Sequence, residues 1–263
     1  MCDRAGRGDP DALRIIGWQT RRVLTADDPA SVRYARMRWN TPLSEEHAEL
    51  LLRRLDIPAG GSVLDLGCGW GELLLRAVAD AEAALGVGVD TDASALDRGR
   101  RAAQERGLFQ VDFVRQPAAD WRRPADRVIC LGSAHAFGGT AAALAALAEL
   151  VRPGGRLLFA DGFWERAPSP EAVEIFGADV LGLPDLLELI RGAGWRVLHF
   201  STTDQREWDD FENTWRAGRE EWLLAHPDDP RAADVRDELD ARLREYASVY
   251  RGLLGLGYFV LGR

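Results

Sequence analysis

Ser62-Val-Leu-Asp-Leu-Gly-Cys-Gly-Trp-Gly-Glu-Leu-Leu74 decides the fold. Ser62–Leu66 is a short apolar run that reads as a buried strand. Glu72–Ala79 reads as a helix, and Gly67, Gly69 and Gly71 lie between the two. Glycine suits positions where φ is positive or where backbone must approach a ligand closely. In an open α/β sheet, a ligand sits at a strand's carboxyl end beside a helix N-terminus.

Outward from this unit the pattern alternates. Ala84–Val89, Val111–Arg115, Arg127–Leu131, Arg156–Ala160 and Trp195–Phe200 read as strands. Ser94–Arg106, Thr140–Val151 and Leu183–Ala193 read as helices between them. Pro153-Gly154-Gly155 is expected to close the second of these helices. Strands alternating with helices predict a parallel sheet covered on both faces. Ahead of the core, Ser44-Glu45-Glu46 suits a helix start, and that helix runs to Leu55.

Asp204–Arg251 is charged, with Trp208, Phe211, Trp215 and Trp222 at helical spacing as one apolar stripe. His226-Pro227-Asp228-Asp229-Pro230 breaks it into two helices, and Leu256–Leu261 closes the chain as a strand. The expected fold is α/β: a doubly wound, mostly parallel seven-stranded sheet with an antiparallel last strand. N-terminal helices and a helical insertion before the final strand complete it. The whole chain, 1–263, reads as a single domain. Within it 1–49 is a helical arm or lid, 50–203 a cofactor-binding core, 204–252 a helical cap and 253–263 the last strand.

The chain has 263 residues, is 46% hydrophobic and carries a net charge of −9 with no lysine. An acidic chain is a poor general nucleic-acid binder, which needs a basic surface. No run approaches the roughly 18 apolar residues of a membrane helix. Met1–Pro10 lacks a secretory apolar segment, so a cytoplasmic location is expected, and Leu13–Trp18 is an apolar patch within the arm. Cys2, Cys68 and Cys130 form no metal or disulfide pattern, and no metal site is expected.

The loop spacing separates two cofactor classes. A dinucleotide loop reads G-x-G-x-x-G, with a pyrophosphate on the helix dipole. Here the spacing is G-x-G-x-G, and Glu72 would meet a pyrophosphate with like charge. Asp65, just before the loop, suits a cationic ligand instead. S-adenosylmethionine is such a ligand, with a sulfonium and an ammonium, and its carboxylate can still use backbone N–H groups.

Val63–Gly71 resembles the first signature of the class I S-adenosylmethionine-dependent methyltransferases. Leu85-Gly-Val-Gly-Val-Asp-Thr-Asp-Ala-Ser94 is similar to their second strand and its terminal acid. The resemblance implies S-adenosylmethionine as cofactor, with Asp65, Gly67, Cys68 and Gly69 lining it. It also implies that Asp90 accepts from both ribose hydroxyls, with Thr91 flanking the adenosine. Asp90 follows the loop by about 20 positions, as such a unit requires. Pro117 stands where relatives often carry the adenine-binding acid, leaving Ala118, Ala119 or Asp120 to substitute. Leu131 and Gly132 would pass the methionine part. Tyr34 or Trp39 would fold over the sulfonium, where cation–π attraction is useful.

The acceptor half has no obligatory signature, because the cofactor carries the driving force and the protein supplies orientation. His135, after the fourth strand, is the candidate general base and acceptor contact. Asp161-Gly-Phe-Trp-Glu165 reads as a loop after the fifth strand, with Phe163 and Trp164 as candidate pocket walls and Glu165 as an orienting acid. His47 and His226 read as exposed helix-end residues, and His199 as a core or edge strand residue. The expected activity is methyl transfer to O or N of a small-molecule metabolite, with neither nucleic acid nor membrane as partner. The alternatives are a nucleotide-dependent oxidoreductase and a non-catalytic S-adenosylmethionine-binding module.

Overall fold

A computed structural model describes residues 34–263. The first 33 residues of the arm, with Leu13–Trp18 and Cys2, lie outside the described residues. Seven strands form one sheet in the order β3-β2-β1-β4-β5-β7-β6. They are β1 (Ser62–Leu66), β2 (Leu85–Asp90), β3 (Val111–Arg115), β4 (Ala125–Leu131), β5 (Val151–Trp164), β6 (Arg196–Thr202) and β7 (Leu254–Gly262). Neighbours pair in parallel from β3 across to β5. β7 runs antiparallel between β5 and β6.

Helices cover both faces. On one side α1 (Glu45–Leu55), α2 (Glu72–Ala79) and α3 (Ala93–Glu105) seal Val63, Ile129, Leu158 and Val260. On the other, α4 (Thr140–Ala148) and α6 (Leu183–Gly192) seal Leu64, Val128, Phe159 and Leu261. The alternation along each strand follows from the period-two pleat, and burial on both faces explains why the inner strands β1, β4 and β7 are largely apolar, while the edge strands β3 and β6 carry polar residues. Each such side chain contributes about 1.5–3 kcal/mol when fully buried.

The structure revises some boundaries. α4 ends at Ala148, and Pro153-Gly154-Gly155 sits inside β5 rather than closing a helix. There the β4–β5 register shifts, and a Cβ on Gly155 would lie 2.7 Å from the Asp126 carbonyl oxygen. Asp161–Trp164 continue β5 rather than forming a loop, because β7 pairs with them as far as Leu254. An unforeseen helix, α5 (Pro170–Phe176), has Ser169 as its N-cap and proline in its first turn. That Ser-Pro-Glu start was a readable signal.

Between β6 and β7 stand α7 (Gln205–Ala225) and α8 (Ala232–Glu245), followed by a π-turn at Tyr246–Tyr250. They pack through two apolar clusters. Trp215, Trp222, Leu223, Val235 and Leu239 join Met37 and Trp70, with Phe211 and Tyr34 at the margin. Tyr246, Tyr250 and Leu253 join Trp164 and Ala172, with Trp208 at the margin. The tryptophan stripe therefore splits between two clusters, and its central member, Trp215, has the guanidinium carbons of Arg219 and Arg242 over its ring at 4.0 and 3.9 Å.

Candidate active site

The glycine loop leaves β1 and enters α2. Gly67, Gly69 and Gly71 all have positive φ (73°, 55° and 68°). Their reasons differ. A Cβ on Gly67 would lie 2.1 Å from the Ser133 hydroxyl, and one on Gly71 2.5 Å from the Phe113 ring. A Cβ on Gly69 would meet no protein atom within 4 Å, and the same holds for Gly132 at the end of β4. Two glycines are thus required by packing, while Gly69 and Gly132 border open space at the sheet's carboxyl edge.

The loop amides are committed inside the protein. Gly67 and Cys68 N–H donate to the Val89 carbonyl at 2.8 and 3.1 Å, and Gly71 N–H to that of Cys68 at 2.8 Å. Gly69 N–H donates to Asp90 Oδ2 at 2.7 Å. These four amides are therefore committed within the protein. They are unavailable to a pyrophosphate. This weighs against a dinucleotide more directly than Glu72 does, since that carboxylate is neutralised by Arg76 and Arg106 at 2.9 and 2.6 Å.

Two buried carboxylates remain at the edge. Asp90 is 4% exposed and also accepts from Asp92 N–H at 2.9 Å. Burial raises its pKa against the backbone donors of Asp92, Gly69 and Thr91. With about four lone-pair sites on its two oxygens, it keeps acceptor capacity for a hydroxyl. Asp65 is 5% exposed, and no hydrogen bond to its carboxylate is found among the described residues. Burial, reinforced by the Asp90 charge, pushes it up to about 8. An unpartnered buried carboxylate is costly, and a cationic ligand would offset that cost. The open glycine edge, the vicinal acceptors of Asp90 and the cation-seeking Asp65 together fit S-adenosylmethionine.

Cys68 lies over Gly88, whose missing Cβ would meet the sulfur at 2.9 Å. Burial and the two carboxylates hold its thiol well above the usual range, which disfavours the thiolate. Thr91 is exposed, and its carbonyl accepts from Arg115 at 3.1 Å. Ala118, Ala119 and Asp120 form a short 3-10 turn after β3, with Ala118 buried and Asp120 exposed.

The segment ahead of α1 crosses the loop. Trp70, inside the glycine loop, donates to the Arg38 carbonyl at 2.8 Å. Arg98 of α3 donates to the Tyr34 and Met37 carbonyls at 2.8 and 2.6 Å, and its guanidinium carbon lies 4.2 Å from the Trp70 ring centroid. Tyr34 and Trp70 have ring centroids 6.0 Å apart. Trp39 carries the Arg76 guanidinium over its ring at 4.7 Å. These partners are distant in sequence, and no local signal marks Arg98.

On the acceptor side, Leu131 and Gly132 end β4, and Gly132 N–H donates to the Ala160 carbonyl at 2.9 Å. His135 is exposed on the 3-10 turn Ala134–Phe137. Phe163 is fully buried, beneath the missing side chains of Gly255 and Gly257, and Trp164 packs among Tyr246, Tyr250 and Leu254. Both lie in β5 and in packed clusters, in place of the loop positions that made them candidate walls. Glu165 is exposed just beyond.

His47 departs furthest from expectation. Its ring is largely buried, with Nδ1 at 3.0 Å from Glu207 Oε1 and Nε2 at 2.7 Å from Ser201 Oγ. Glu207 also accepts from Ser44 N–H at 2.8 Å and closes a capping box with Asp204. The acid three residues after Asp204 was a legible capping signal. The reach to His47 was not legible, because it spans α1 and α7. His226 is the exposed cap residue of α7, and His199 lies exposed on the edge strand β6.

Comparison with known proteins agrees with this geometry. A family model described as a methyltransferase domain matches residues 63–155. The uncharacterised protein YjhP of Escherichia coli strain K12 is 32% identical over 232 residues, covering 85% of this chain and 93% of its own. The O-methyltransferase cnsE of Penicillium expansum is 30% identical over 189 residues, covering 64% of this chain and 66% of its own. A solved S-adenosylmethionine-dependent methyltransferase from Geobacter sulfurreducens, in complex with S-adenosylhomocysteine, superposes with a TM-score of 0.81 at 30% identity. That match covers 89% of this chain and 96% of that one. By these matches the chain belongs to the class I S-adenosylmethionine-dependent methyltransferases.

Proposed function

We propose that this methyltransferase acts on an oxygen or nitrogen of a small-molecule metabolite. The observation that carries the reading is the roof over the carboxyl edge. Phe211 of α7 packs with the cluster containing Met37 and Trp70, while Trp208, one turn earlier, packs on the layer that holds Leu131 and Leu256. An aromatic edge of this kind supports a compact acceptor. The net charge of −9 supports the same choice against nucleic acid. The likeness to the O-methyltransferase cnsE supports oxygen as one target atom.

In this reading Asp65 faces the cationic end of S-adenosylmethionine, Asp90 takes the ribose hydroxyls, and Gly67, Cys68 and Gly69 form the floor. Thr91, Ala118, Ala119 and Asp120 border the adenine, and Leu131 and Gly132 the methionine chain. Tyr34 and Trp39 close the near side. When bound, the cofactor supplies an electrophilic methyl group. The protein's part is to orient the acceptor, exclude water and remove a proton, and we assign that proton to His135, on the turn after β4. Phe163 and Trp164 act from behind, by fixing the β5 end.

The test is transfer of tritiated methyl from S-adenosylmethionine into a cell extract fractionated by size. Label in the small-molecule fraction is expected; label confined to RNA, DNA or protein overturns the reading. His135→Ala should lower turnover with S-adenosylhomocysteine affinity intact, and full activity would dismiss it as base.

A further inference from the structure

A cleft of about 440 Å³ lies between the segment ahead of α1 and the helices α2 and α3. That volume falls within the range of small-molecule sites, about 300–1,000 Å³. Its lining is cationic. Arg36 and Arg38 reach it from the segment, Arg76 from α2, Arg98 from α3 and Arg106 from the C-cap of α3, with Glu72 among them. The carboxylates that answer these cations are fewer. Arg36 pairs with Glu221, and Arg38 with Glu45. Arg76 shares Glu45 and Glu72, and Arg106 takes Glu72 at 2.6 Å. Arg98 has no carboxylate partner among the described residues and donates to the Tyr34 and Met37 carbonyls. Five guanidiniums thus meet three carboxylates, an excess of two positive charges in a chain of net charge −9. A cleft lined by one sign of charge concentrates the opposite ion. Burial disfavours the Arg98 charge, while Glu72 favours it and Arg101 opposes it, so a further anion here would offset a standing cost.

We infer that this cleft binds the phosphate group of a small molecule, and that the bound phosphate fastens segment 34–38 over the glycine loop. A tetrahedral dianion matches the charge excess. It presents acceptor oxygens to several guanidinium forks at once, where a single carboxylate fills one. Its partners come from two sides. Arg36 and Arg38 belong to the crossing segment, whereas Arg76, Arg98 and Arg106 belong to the helices beneath it. The segment already closes on the loop through Trp70, which donates to the Arg38 carbonyl at 2.8 Å. An anion bridging the two sets of arginines adds to that closure. By linkage, phosphate and cofactor then tighten each other's binding. The inference depends on the cofactor assignment and is independent of the nature of the methyl acceptor.

Calorimetry on the whole chain tests this, at about pH 8, where phosphate and its monoesters are dianions, with ionic strength held constant by NaCl. Inorganic phosphate and ribose 5-phosphate are titrated in parallel, and saturable binding is expected. Tighter binding of the first assigns a free inorganic ion, and of the second a phosphorylated metabolite. S-adenosylhomocysteine affinity should rise about fivefold or more when the tighter anion is saturating. Arg36→Gln combined with Arg106→Gln removes one exposed cation from each side of the cleft. The pair should weaken anion binding about tenfold or more, and leave the S-adenosylhomocysteine affinity measured without anion unchanged. Should the double variant fail to fold, Arg36→Gln alone serves, because it alters only an exposed ion pair. Absence of saturable binding by either anion, binding as tight in the variant as in the parent, or an S-adenosylhomocysteine affinity unmoved by the anion would each overturn the inference. Failure of the parent to bind S-adenosylhomocysteine at all would instead count against the cofactor assignment.

Discussion

Gly69 N–H donates to the Asp90 carboxylate across 2.7 Å, joining the glycine loop of β1 to the end of β2. The same carboxylate receives Asp92 N–H at 2.9 Å, so it shapes both loops before any ligand arrives. Asp90→Ala should therefore weaken S-adenosylhomocysteine binding beyond the loss of ribose contacts alone. Each hydrogen bond to a charged acceptor is worth about 1.5–3 kcal/mol, so a loss of about tenfold or more in affinity is expected by calorimetry. Asp90→Asn should recover only part of it, because its NH2 opposes one of the two donors. Unchanged affinity in the alanine variant would remove Asp90 from the site.

The glycines should divide by mechanism. Gly71→Ala places a Cβ 2.5 Å from the Phe113 ring at a φ of 68°. Strain and overpacking together predict about 2–5 kcal/mol of lost stability. Gly69→Ala carries strain alone, about 1–2 kcal/mol, since its Cβ would enter open space. In the proposed reading that space is the cofactor's, so Gly69→Ala should lose affinity more than stability. Thermal melts with and without S-adenosylhomocysteine check this, and equal effects of the two substitutions would contradict it.

The fold was legible where local pattern and tertiary context agree. Ser62–Leu66 and Val111–Arg115 are strands at the residues read from sequence, the first because it is an apolar run buried in the sheet centre, the second because its alternation buries Val111 and Phe113 and exposes Asp112. Legibility failed where a distant partner decides. Asp161–Trp164 looks like a loop until β7 pairs with it. His47 looks solvated until Glu207 and Ser201 arrive from 160 and 154 residues away. In the site, Asp65 and Asp90 are marked by spacing. The commitment of the loop amides to Val89 and Asp90 is a fact of three dimensions that no spacing carries.

The cap's anchorage should be acid-sensitive. Burial alone would raise Glu207, but His47, Ser44 and Asp204 donate to it and bring it below the ordinary carboxylate range. A depressed folded pKa contributes stability that is present above the unfolded value, about 4.3, and lost as pH falls through the folded one. Glu207→Gln should thus lower Tm at pH 7 and flatten the acid limb of the Tm–pH curve below about 4. A parallel downward shift at every pH would show that Glu207 acts by packing alone.

Asp65 has the opposite sign. Its folded pKa, about 8, lies above the unfolded value, so the native state holds a proton that the unfolded chain releases. Ligand-free stability should therefore fall as pH rises from about 4 to about 8, by up to about 1.4 kcal/mol per unit from this group. It should level off above that window. Asp65→Asn should remove the slope and leave the ligand-free protein at pH 8 as stable as the parent or more so. A cationic cofactor favours the ionised form, so parent binding should tighten with rising pH over the same window and release a proton on complex formation. Calorimetry in buffers of different ionisation enthalpy counts that proton. In Asp65→Asn both the pH dependence and the proton release should vanish along with much of the affinity. A variant that binds S-adenosylmethionine as tightly as the parent at pH 8 would show that Asp65 meets no cation.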